Sequence, residues 1–382
     1  MTRRICFLTG KRGGFGALIP TFQAVDRDPE LELILIATDM HLSTKFGATI
    51  SEVDKWVKNA VRVPLEQTDD RPVSRVQALG RALSGIASAL EQIKPDIFVV
   101  LGDRGEVYSA ASAALHLGIP MAHIQGGDVS GNVDEMMRHA ITKMSHIHFP
   151  STQASAKRIR NMGEEAWRVH VVGDAHVDMM LRGGHTLGAA ARKKFQLDPA
   201  QPFALVLVHP ETLRPETSYD NMKAVLSAMR QRQLRSLVVW PCSDHGYQGI
   251  LDAIHEVEGD ALFSVYKNID APDFWGLQSE AAVFAGNSSA GLIEAPYFHL
   301  PFINIGLRQI GRERGANVID VADVNAATLK RALDQALSQS FRDQLRAQPF
   351  HLFGDGKAAE RMVHVLKTVE LNRALFEKRM TY

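Results

Sequence analysis

Short apolar runs alternate with amphipathic segments along almost the whole chain. Six runs in the first half are strand candidates: ICFLT, LELILIA, IFVVL, IPMAHI, HIHFP and VHVVG. Of these, IFVVL is unalternated, as is typical of a strand buried on both faces of a parallel sheet. Six more follow in the second half: FALVLVH, SLVVWP, LFSVY, AAVFAG, PFINI and NVIDV. Because strands that alternate with helices form parallel sheets, the pattern predicts an α/β protein with two doubly wound sheets.

The length of the chain indicates two domains. Its 382 residues exceed what one ordinary hydrophobic core holds. A polar, glycine-rich stretch from Arg182 to Gln201 separates the two groups of strands and includes a helix rich in Ala, Arg and Lys. We therefore predict Rossmann-like domains over residues 1–185 and 200–355. The segment 356–382 reads as one or two helices that fold back across the domains.

Charge and composition exclude several classes of protein. Lys and Arg number 43 and so do Asp and Glu, so no global field attracts nucleic acid or an acidic membrane. No apolar run approaches the roughly 18 residues of a membrane span. The N-terminal MTRRICFLTG breaks at Gly10, which indicates a first strand and not a signal peptide. With two cysteines in the chain, we expect a soluble cytoplasmic protein without nucleic-acid or membrane partners.

Charged side chains follow two strands of the first half. IFVVL ends at Gly102-Asp103-Arg104, and IPMAHI ends at Gln125. The next helix carries further acidic and basic groups in its first turns, namely Asp134, Glu135, Arg138 and His139. Ligands of open α/β sheets bind outside the carboxyl ends of the strands, so this cluster predicts a functional site.

A second group of candidates begins at AAVFAGNSSAGLIEAP. Ser288 and Ser289 follow a buried strand and precede a helix, where hydroxyls and free N–H groups can bind an anion. The alternative is that Asn-Ser-Ser only caps the helix. Glu294 lies in the same helix and could reach a ribose hydroxyl pair, which favours a nucleotide.

Other basic residues of the chain admit two interpretations each. Arg308, Arg312 and Arg314 follow the strand PFINI and suit a diphosphate, or they form a solvated loop. His209 ends the strand FALVLVH and could act on a ligand or be satisfied by the next turn. The sequence His146-Ile147-His148 puts both imidazoles on one strand face. Without a third ligand nearby, packing is favoured there over a metal site.

These motifs resemble those of a known enzyme family. GNSSAGLIEAP, INIGLRQIGRERGANVIDV, LGDR and AHIQGGDVSGNVDEMMRHAITKMSH are similar to segments of hydrolysing UDP-N-acetylglucosamine 2-epimerases, which include enzymes of sialic-acid and legionaminic-acid pathways. The resemblance extends from about Ile5 to Lys367. It implies a glycosyltransferase-B-like fold of two Rossmann-like doubly wound domains, with the active site in the interdomain cleft and the nucleotide held mainly by the C-terminal domain.

The resemblance also implies a UDP- or GDP-linked sugar as substrate, a homodimer or homotetramer, and no NAD or obligatory metal cofactor. Matched position by position, the catalytic residues would be Asp103, Asp134, Glu135 and His209. The residues that bind substrate or nucleotide would be Arg12, Arg104, Gln125, Arg138, Ser288, Ser289, Glu294, Arg308 and Arg312.

The chain departs from the family pattern at three places. Gly14 replaces a carboxylate of the first loop, and a loop opened by glycine suggests room for a bulkier sugar. Gln125 replaces a Glu or His, and glutamine can neither take nor give a proton. Cys242 stands where relatives tend to have Asn. Three hypotheses follow: a hydrolysing epimerase, which the motifs favour, a sugar transferase on the same fold, or a nucleotide-sugar-binding protein without activity.

Overall fold

The computed structural model describes residues 2–69, 71–129, 133–348, 350 and 352–381, without the side chain of Arg12. These residues divide into two compact units. Unit 1 comprises those within 1–129, 133–182 and 353–382, and unit 2 those within 183–352. Within the described residues each unit contains one parallel sheet of six strands. The alternating apolar pattern therefore correctly predicted two doubly wound α/β sheets.

The sheet of unit 1 has the strand order β3-β2-β1-β4-β5-β6. Its strands are β1 (Arg3–Thr9), β2 (Leu31–Thr38), β3 (Val61–Val63), β4 (Ile97–Leu101), β5 (Met121–Ile124) and β6 (Ile147–Phe149). All neighbouring strands run parallel, so their carboxyl ends lie along one edge. This order is that of dinucleotide-binding folds, whose ligands lie at that edge.

The helices of unit 1 come from both ends of the chain. They are α1 (Arg12–Arg27), α2 (Ile50–Trp56), α3 (Pro72–Ile93), α4 (Gly105–His116), α5 (Val133–Met144), α6 (Gln153–Asn161) and α7 (Ala175–Leu181), with α15 (Ala358–Thr368) and α16 (Arg373–Phe376) near the C-terminus. The helix α1 packs against α7 and α15.

Hydrogen bonds attach the C-terminal segment to the rest of unit 1. The Arg168 guanidinium donates to the carbonyls of Leu375 at 2.9 Å and Ala374 at 2.6 Å. The Lys378 ammonium donates to the carbonyls of Lys143 and Ser145 at 2.7 and 2.6 Å. Charged donors therefore satisfy backbone carbonyls of α16 and at the C-terminal end of α5.

The sheet of unit 2 has the order β12-β11-β10-β7-β8-β9, which read backwards repeats the order of the first sheet. Its strands are β7 (Phe203–Leu207), β8 (Arg235–Val239), β9 (Phe263–Tyr266), β10 (Val283–Gly286), β11 (Phe302–Ile305) and β12 (Val318–Val321). Its helices are α8 (Gly188–Lys194), α9 (Ser218–Gln231), α10 (Tyr247–His255), α11 (Ala271–Glu280), α12 (Ala290–Ile293), α13 (Ala326–Leu337) and α14 (Gln339–Ala347).

Eleven of the twelve predicted runs contain strands of the two sheets, and the prediction for VHVVG is wrong. That run follows β6, with a single bridge between His148 and Val169, and turns away at Gly173, whose φ is +91°. The short edge strand β3 was missed because Val-Arg-Val is too brief to show a period. No helix in the described part of the chain is long and apolar enough to cross a membrane.

Candidate functional site

A buried arginine joins α5 to the carboxyl end of β4. Arg138 is 1% exposed and forms an ion pair with Asp103. Asp103 lies two residues after the end of β4. Its second nitrogen donates to the carbonyl of Asp128 at 3.1 Å. Asp134 is buried four residues before Arg138, so both side chains lie on the same face of α5. The structure thus brings Asp103, Arg138 and the Asp134 face of α5 to one sheet edge.

Glu135 has different surroundings from Asp134. Its carboxylate lies 3.7 Å from the His139 ring one turn later, and about a third of its side chain is exposed. Burial lowers the pKa of His139. Successive helical residues point about 100° apart, so Glu135 and Asp134 occupy different faces. The more buried Asp134 is therefore the better candidate for a proton-transfer group.

Arg104 lies in a buried network of four charged side chains. Its guanidinium donates to Glu106 at 2.8 Å and to Asp39 at 3.1 Å. Arg75 adds a second pair with Glu106 at 3.0 Å and lies 3.5 Å from Asp39. Burial, together with the Glu106 carboxylate, raises the pKa of Asp39 to about 6. The guanidinium predicted to bind substrate thus bonds two carboxylates and links the ends of β2 and β4.

The glycine-rich segment after β1 differs from the predicted open loop. The helix α1 already begins at Arg12, so Gly13 and Gly14 belong to its first turn. A Cβ at position 14 would lie 3.0 Å from the Leu101 side chain at the end of β4. Gly14 therefore permits close packing of α1 on β4, and the expected open loop is wrong. The side chain of Arg12, another predicted ligand residue, lies outside the described part of the structure.

Gln125 occupies a strained turn after β5. Its φ is +62°, a left-handed conformation that non-glycine residues rarely adopt. The backbone N–H donates to the carbonyl of Phe149 at 3.0 Å, which ties the turn to β6. At Gly127 a Cβ would lie 2.4 Å from the Ser155 carbonyl oxygen, so only glycine fits there. The backbone therefore holds Gln125 at the same edge as Asp103.

In unit 2, His209 follows β7 and has its ring oriented by the backbone. The Nδ1 atom accepts the N–H of Cys242 at 3.0 Å. A neutral imidazole with an accepting Nδ1 carries its proton on Nε2, which makes Nε2 a donor. The sequence did not reveal this contact, because Cys242 follows another strand 33 residues later.

Glu294 lies just beyond α12 and is buried within its own unit. Its Oε2 accepts the indole N–H of Trp275 at 2.9 Å and the amide of Gln278 at 2.7 Å. The helix before it, α12, is one turn long, shorter than the sequence suggested. A Cβ at Gly291 would lie 2.2 Å from the Phe302 ring, so glycine at this position allows α12 to pack closely on β11. The sequence analysis did not identify Trp275 and Gln278 as the donors to Glu294.

The other predicted nucleotide-binding residues, two serines after β10 and the arginines after β11, differ in their hydrogen bonds. The Ser288 hydroxyl accepts the N–H of Ala290 at 3.4 Å, a weak version of the capping alternative, and Ser289 makes no such cap bond. Arg308 lies 3.4 Å from the carbonyl of Asn287. Arg312 is half-buried. Arg314 binds both carboxylate oxygens of Asp320 at 2.6 and 2.5 Å, which favours a structural role for it.

His146, just before β6, and His148, within β6, each have a hydrogen-bond partner. His146 accepts the N–H of Met121 at 3.1 Å, and His148 lies 3.1 Å from the Glu164 carboxylate. Among the described residues, no group of three or more His, Cys, Asp or Glu side chains is placed to hold a metal ion. These contacts favour the packing interpretation of His146 and His148.

Comparison with known proteins agrees with this geometry. The chain is 33% identical, over the full length of both chains, to the UDP-N,N'-diacetylbacillosamine 2-epimerase (hydrolyzing) of Legionella pneumophila. It is 31% identical to the GDP/UDP-N,N'-diacetylbacillosamine 2-epimerase (hydrolyzing) of Campylobacter jejuni, over 89% of each chain.

A solved structure shows the same fold. The UDP-GlcNAc 2-epimerase of Methanocaldococcus jannaschii, crystallised with UDP-GlcNAc and UDP, superposes with a TM-score of 0.78 at 19% identity, over 95% of this chain and 99% of that one. The fold is therefore the glycosyltransferase-B-like fold that the resemblance implied. The sequence model described as UDP-N-acetylglucosamine 2-epimerase matches residues 23–367. With two sheets of the same strand order and acidic groups at the carboxyl edge of the first, the chain belongs to the UDP-N-acetylglucosamine 2-epimerase family.

Proposed function

We propose that this protein is a hydrolysing nucleotide-sugar 2-epimerase. Its substrate is UDP-N-acetylglucosamine or a UDP- or GDP-linked 2,4-diacetamido-trideoxy sugar, and its products are the nucleoside diphosphate and the free 2-epimeric sugar. The observation that carries the proposal is the ion pair of Asp103 with the buried Arg138, on the helix face that also bears Asp134. The similarity to two enzymes named as hydrolyzing 2-epimerases, over 100% and 89% of this chain, supports the same reaction.

The chemistry requires the leaving group to depart before a proton is removed. The C2 proton of a sugar is scarcely acidic, so cleavage of the bond from C1 to the diphosphate oxygen comes first. The oxocarbenium character that develops at C1 makes the C2 proton removable and produces a glycal. Water then adds its hydroxyl to C1, while a proton returns to the opposite face of C2. Carboxylates near the ring stabilise the developing positive charge.

We assign the proton transfers to unit 1. Asp103 and Asp134 form the acid and base pair, with Glu135 as the alternative to Asp134. Arg138 sets the charge of Asp103, because its guanidinium lies against that carboxylate. Gln125 contacts the sugar from the same edge. Arg104, whose guanidinium binds Glu106 and Asp39, and Arg12 remain ligand candidates on sequence grounds.

We assign the nucleotide to unit 2. His209 stabilises or protonates the departing diphosphate through Nε2, the nitrogen that carries the proton when Nδ1 accepts from Cys242. Ser288, Ser289, Arg308 and Arg312 bind the phosphates, and Glu294 accepts from the ribose. The carboxylate of Glu294 is held by Trp275 and Gln278, so it meets a ribose without reorganising.

Two finer assignments belong to the same proposal. The family resemblance favours a homodimer or homotetramer that works in the cytoplasm. The free N-acetylated sugar would serve the synthesis of nonulosonic acids such as sialic or legionaminic acid. Size-exclusion chromatography with light scattering tests the assembly, and a monomer at micromolar concentration would contradict it.

One incubation separates the epimerase from its two alternatives. Purified protein is mixed with UDP-N-acetylglucosamine, and separately with UDP- and GDP-linked diacetamido sugars, while free sugar and nucleoside diphosphate are followed. The epimerase releases the free sugar and the nucleoside diphosphate without an acceptor. In D₂O it also introduces solvent deuterium at C2 of the sugar. A transferase requires an acceptor, and a binding protein releases nothing; either result would overturn the proposal.

A further inference from the structure

A buried carboxylate lies directly behind the glutamine that replaces the family's Glu or His. The amide nitrogen of Gln125 donates to Oδ2 of Asp174 at 2.6 Å. Asp174 is 1% exposed and caps the N-terminus of α7, 49 residues further along the chain. The negative charge missing at position 125 is therefore present one side chain away, at position 174.

Four donors surround the Asp174 carboxylate. Its Oδ2 accepts from Gln125 and from the Ser151 hydroxyl at 3.1 Å. Its Oδ1 accepts the backbone N–H of His176 at 3.0 Å and lies 2.7 Å from the His176 ring nitrogen Nδ1. A carboxylate offers about four acceptor positions, so these contacts saturate it. Asp174 thus has no capacity left for a substrate and acts through its neighbours.

The charge state of Asp174 determines how the Gln125 amide is oriented. Although burial alone would raise the pKa of Asp174, the interaction with His176 and the hydrogen bonds it accepts lower that pKa below its ordinary value. An ionised carboxylate only accepts hydrogen bonds, so it must face the NH₂ end of the amide. The carbonyl oxygen Oε1 of Gln125 then points away from Asp174. Within the described residues no donor contacts Oε1.

We infer that Asp174 is a positioning residue that locks Gln125 with Oε1 as a hydrogen-bond acceptor for a donor on the bound sugar, an acetamido N–H or a hydroxyl. This inference rests on the proposed function, because it names the role of Gln125 towards that substrate. In this arrangement the acceptor at position 125 is neutral, and the charge that fixes it is buried at position 174.

The contact between Gln125 and Asp174 makes a specific prediction for variants. Gln125→Glu places two carboxylates in contact at a buried site, and like charges there cannot both ionise easily. Gln125→Glu should therefore unfold at lower urea concentration than wild type at pH 8 and recover towards pH 5, where one proton is shared. Gln125→Glu with Asp174→Asn restores one amide and one carboxylate, so its stability should exceed that of the single variant at pH 8 and lose the recovery in acid.

Binding of the substrate tests the orientation itself. Asp174→Asn lets the Gln125 amide turn over, so the Kd for UDP-N-acetylglucosamine by calorimetry should rise about ten- to a hundredfold, the effect of one mispaired polar group. KM should rise with it while kcat changes less. The matched control is Asp178→Asn, a buried carboxylate on the same helix that binds the N–H groups of Ala358 and Ala359. That control should lower stability without changing Kd.

The outcomes separate this inference from the proposed function. An unchanged Kd in Asp174→Asn, or a double variant no more stable than Gln125→Glu alone, would overturn the inference even if wild type is an active epimerase. Wild type that binds UDP-N-acetylglucosamine but releases no UDP or sugar would overturn the proposed function. In that case, weaker binding by Asp174→Asn and recovery of the double variant would still support the role of Asp174.

Discussion

Asn287 holds the backbone of His209 with a pair of hydrogen bonds. Its side-chain oxygen accepts the His209 N–H at 2.6 Å, and its amide nitrogen donates to the His209 carbonyl at 2.9 Å. The N–H of Cys242 binds the ring of the same histidine. Asn287 therefore links the turn after β10 to the end of β7, and the proposed leaving-group residue is fixed at its backbone and its ring.

Replacement of Asn287 by Asp should impair turnover through His209. The variant keeps the acceptor but loses the donor, and it sets a carboxylate oxygen against the His209 carbonyl. Because a positioned acid contributes about 10²–10⁴-fold, we expect kcat to fall by about tenfold or more. Steady-state release of UDP measures the change. If Asn287 acts through His209, Asn287→Asp should add little to His209→Gln, and full additivity would argue against the coupling.

The proposed proton-transfer pair can be tested with isosteric amides. Asp103→Asn and Asp134→Asn should each lower turnover by about 10²–10⁴-fold with modest loss of nucleotide affinity. Asp103→Asn also leaves the buried Arg138 without its anion, so folding is checked by urea unfolding before rates are compared. Glu135→Gln is the matched control, since Glu135 lies on another helix face beside His139. A larger loss in this control than in Asp134→Asn would transfer the role to Glu135.

Glu294 provides a test of nucleotide binding in unit 2. Glu294→Gln keeps the size of the side chain but halves its accepting capacity, while Trp275 and Gln278 still compete for its oxygen. The affinity for UDP should therefore weaken by about 1–3 kcal/mol. Calorimetric titration with UDP measures it. Asp320→Asn, which disturbs the ion pair with Arg314 and the hydrogen bond from Asn304, should leave the affinity near that of wild type. An unchanged Kd in Glu294→Gln would remove the ribose assignment.

Buried histidines should make the protein sensitive to acid. Burial, together with Lys378, lowers the pKa of His146 to about 4, and burial lowers that of His148 to about 4. The unfolded chain binds these protons from about pH 6.5 downwards. Stability should therefore fall as pH drops from about 6.5 to about 4, by up to about 1.4 kcal/mol per pH unit for each histidine.

Urea unfolding between pH 7 and pH 4.5 measures this effect. The range stays above the window in which Glu164, whose pKa is lowered to about 2 against the effect of burial, loses its own contribution. His148→Gln should flatten the dependence, whereas His116→Gln, at an exposed position, should not. Equal slopes in wild type and His148→Gln would contradict the assignment.

Sequence reasoning predicted the features that depend on neighbours in the chain. The apolar runs indicated the two sheets because strands buried on both faces need continuous apolar side chains. The motifs that end β4, β7 and β10 located Asp103, His209 and Ser288, since strand ends carry the ligands of this fold. Family membership followed from the same segments.

Contacts between distant segments could not be read from the chain. The Arg104 guanidinium donates to Asp39, and no local sequence pattern predicts a partner that lies 65 residues away. The first glycine turn looked like an open loop, yet packing against Leu101 allows a helix there. In both cases the local residue types permit several structures, and the surrounding core selects one.

The sequence by itself determined the fold class, the polar and charged residues that follow particular strands, and the replacement at position 125. The tertiary structure alone decided what that replacement means, because parallel β5 and β6 and the start of α7 bring Gln125, Ser151 and Asp174 together. The apolar pattern of a strand indicates its burial from residues that are neighbours in the chain. Hydrogen-bond partners of a buried carboxylate depend instead on three-dimensional packing, which places residues 49 positions apart within 2.6 Å.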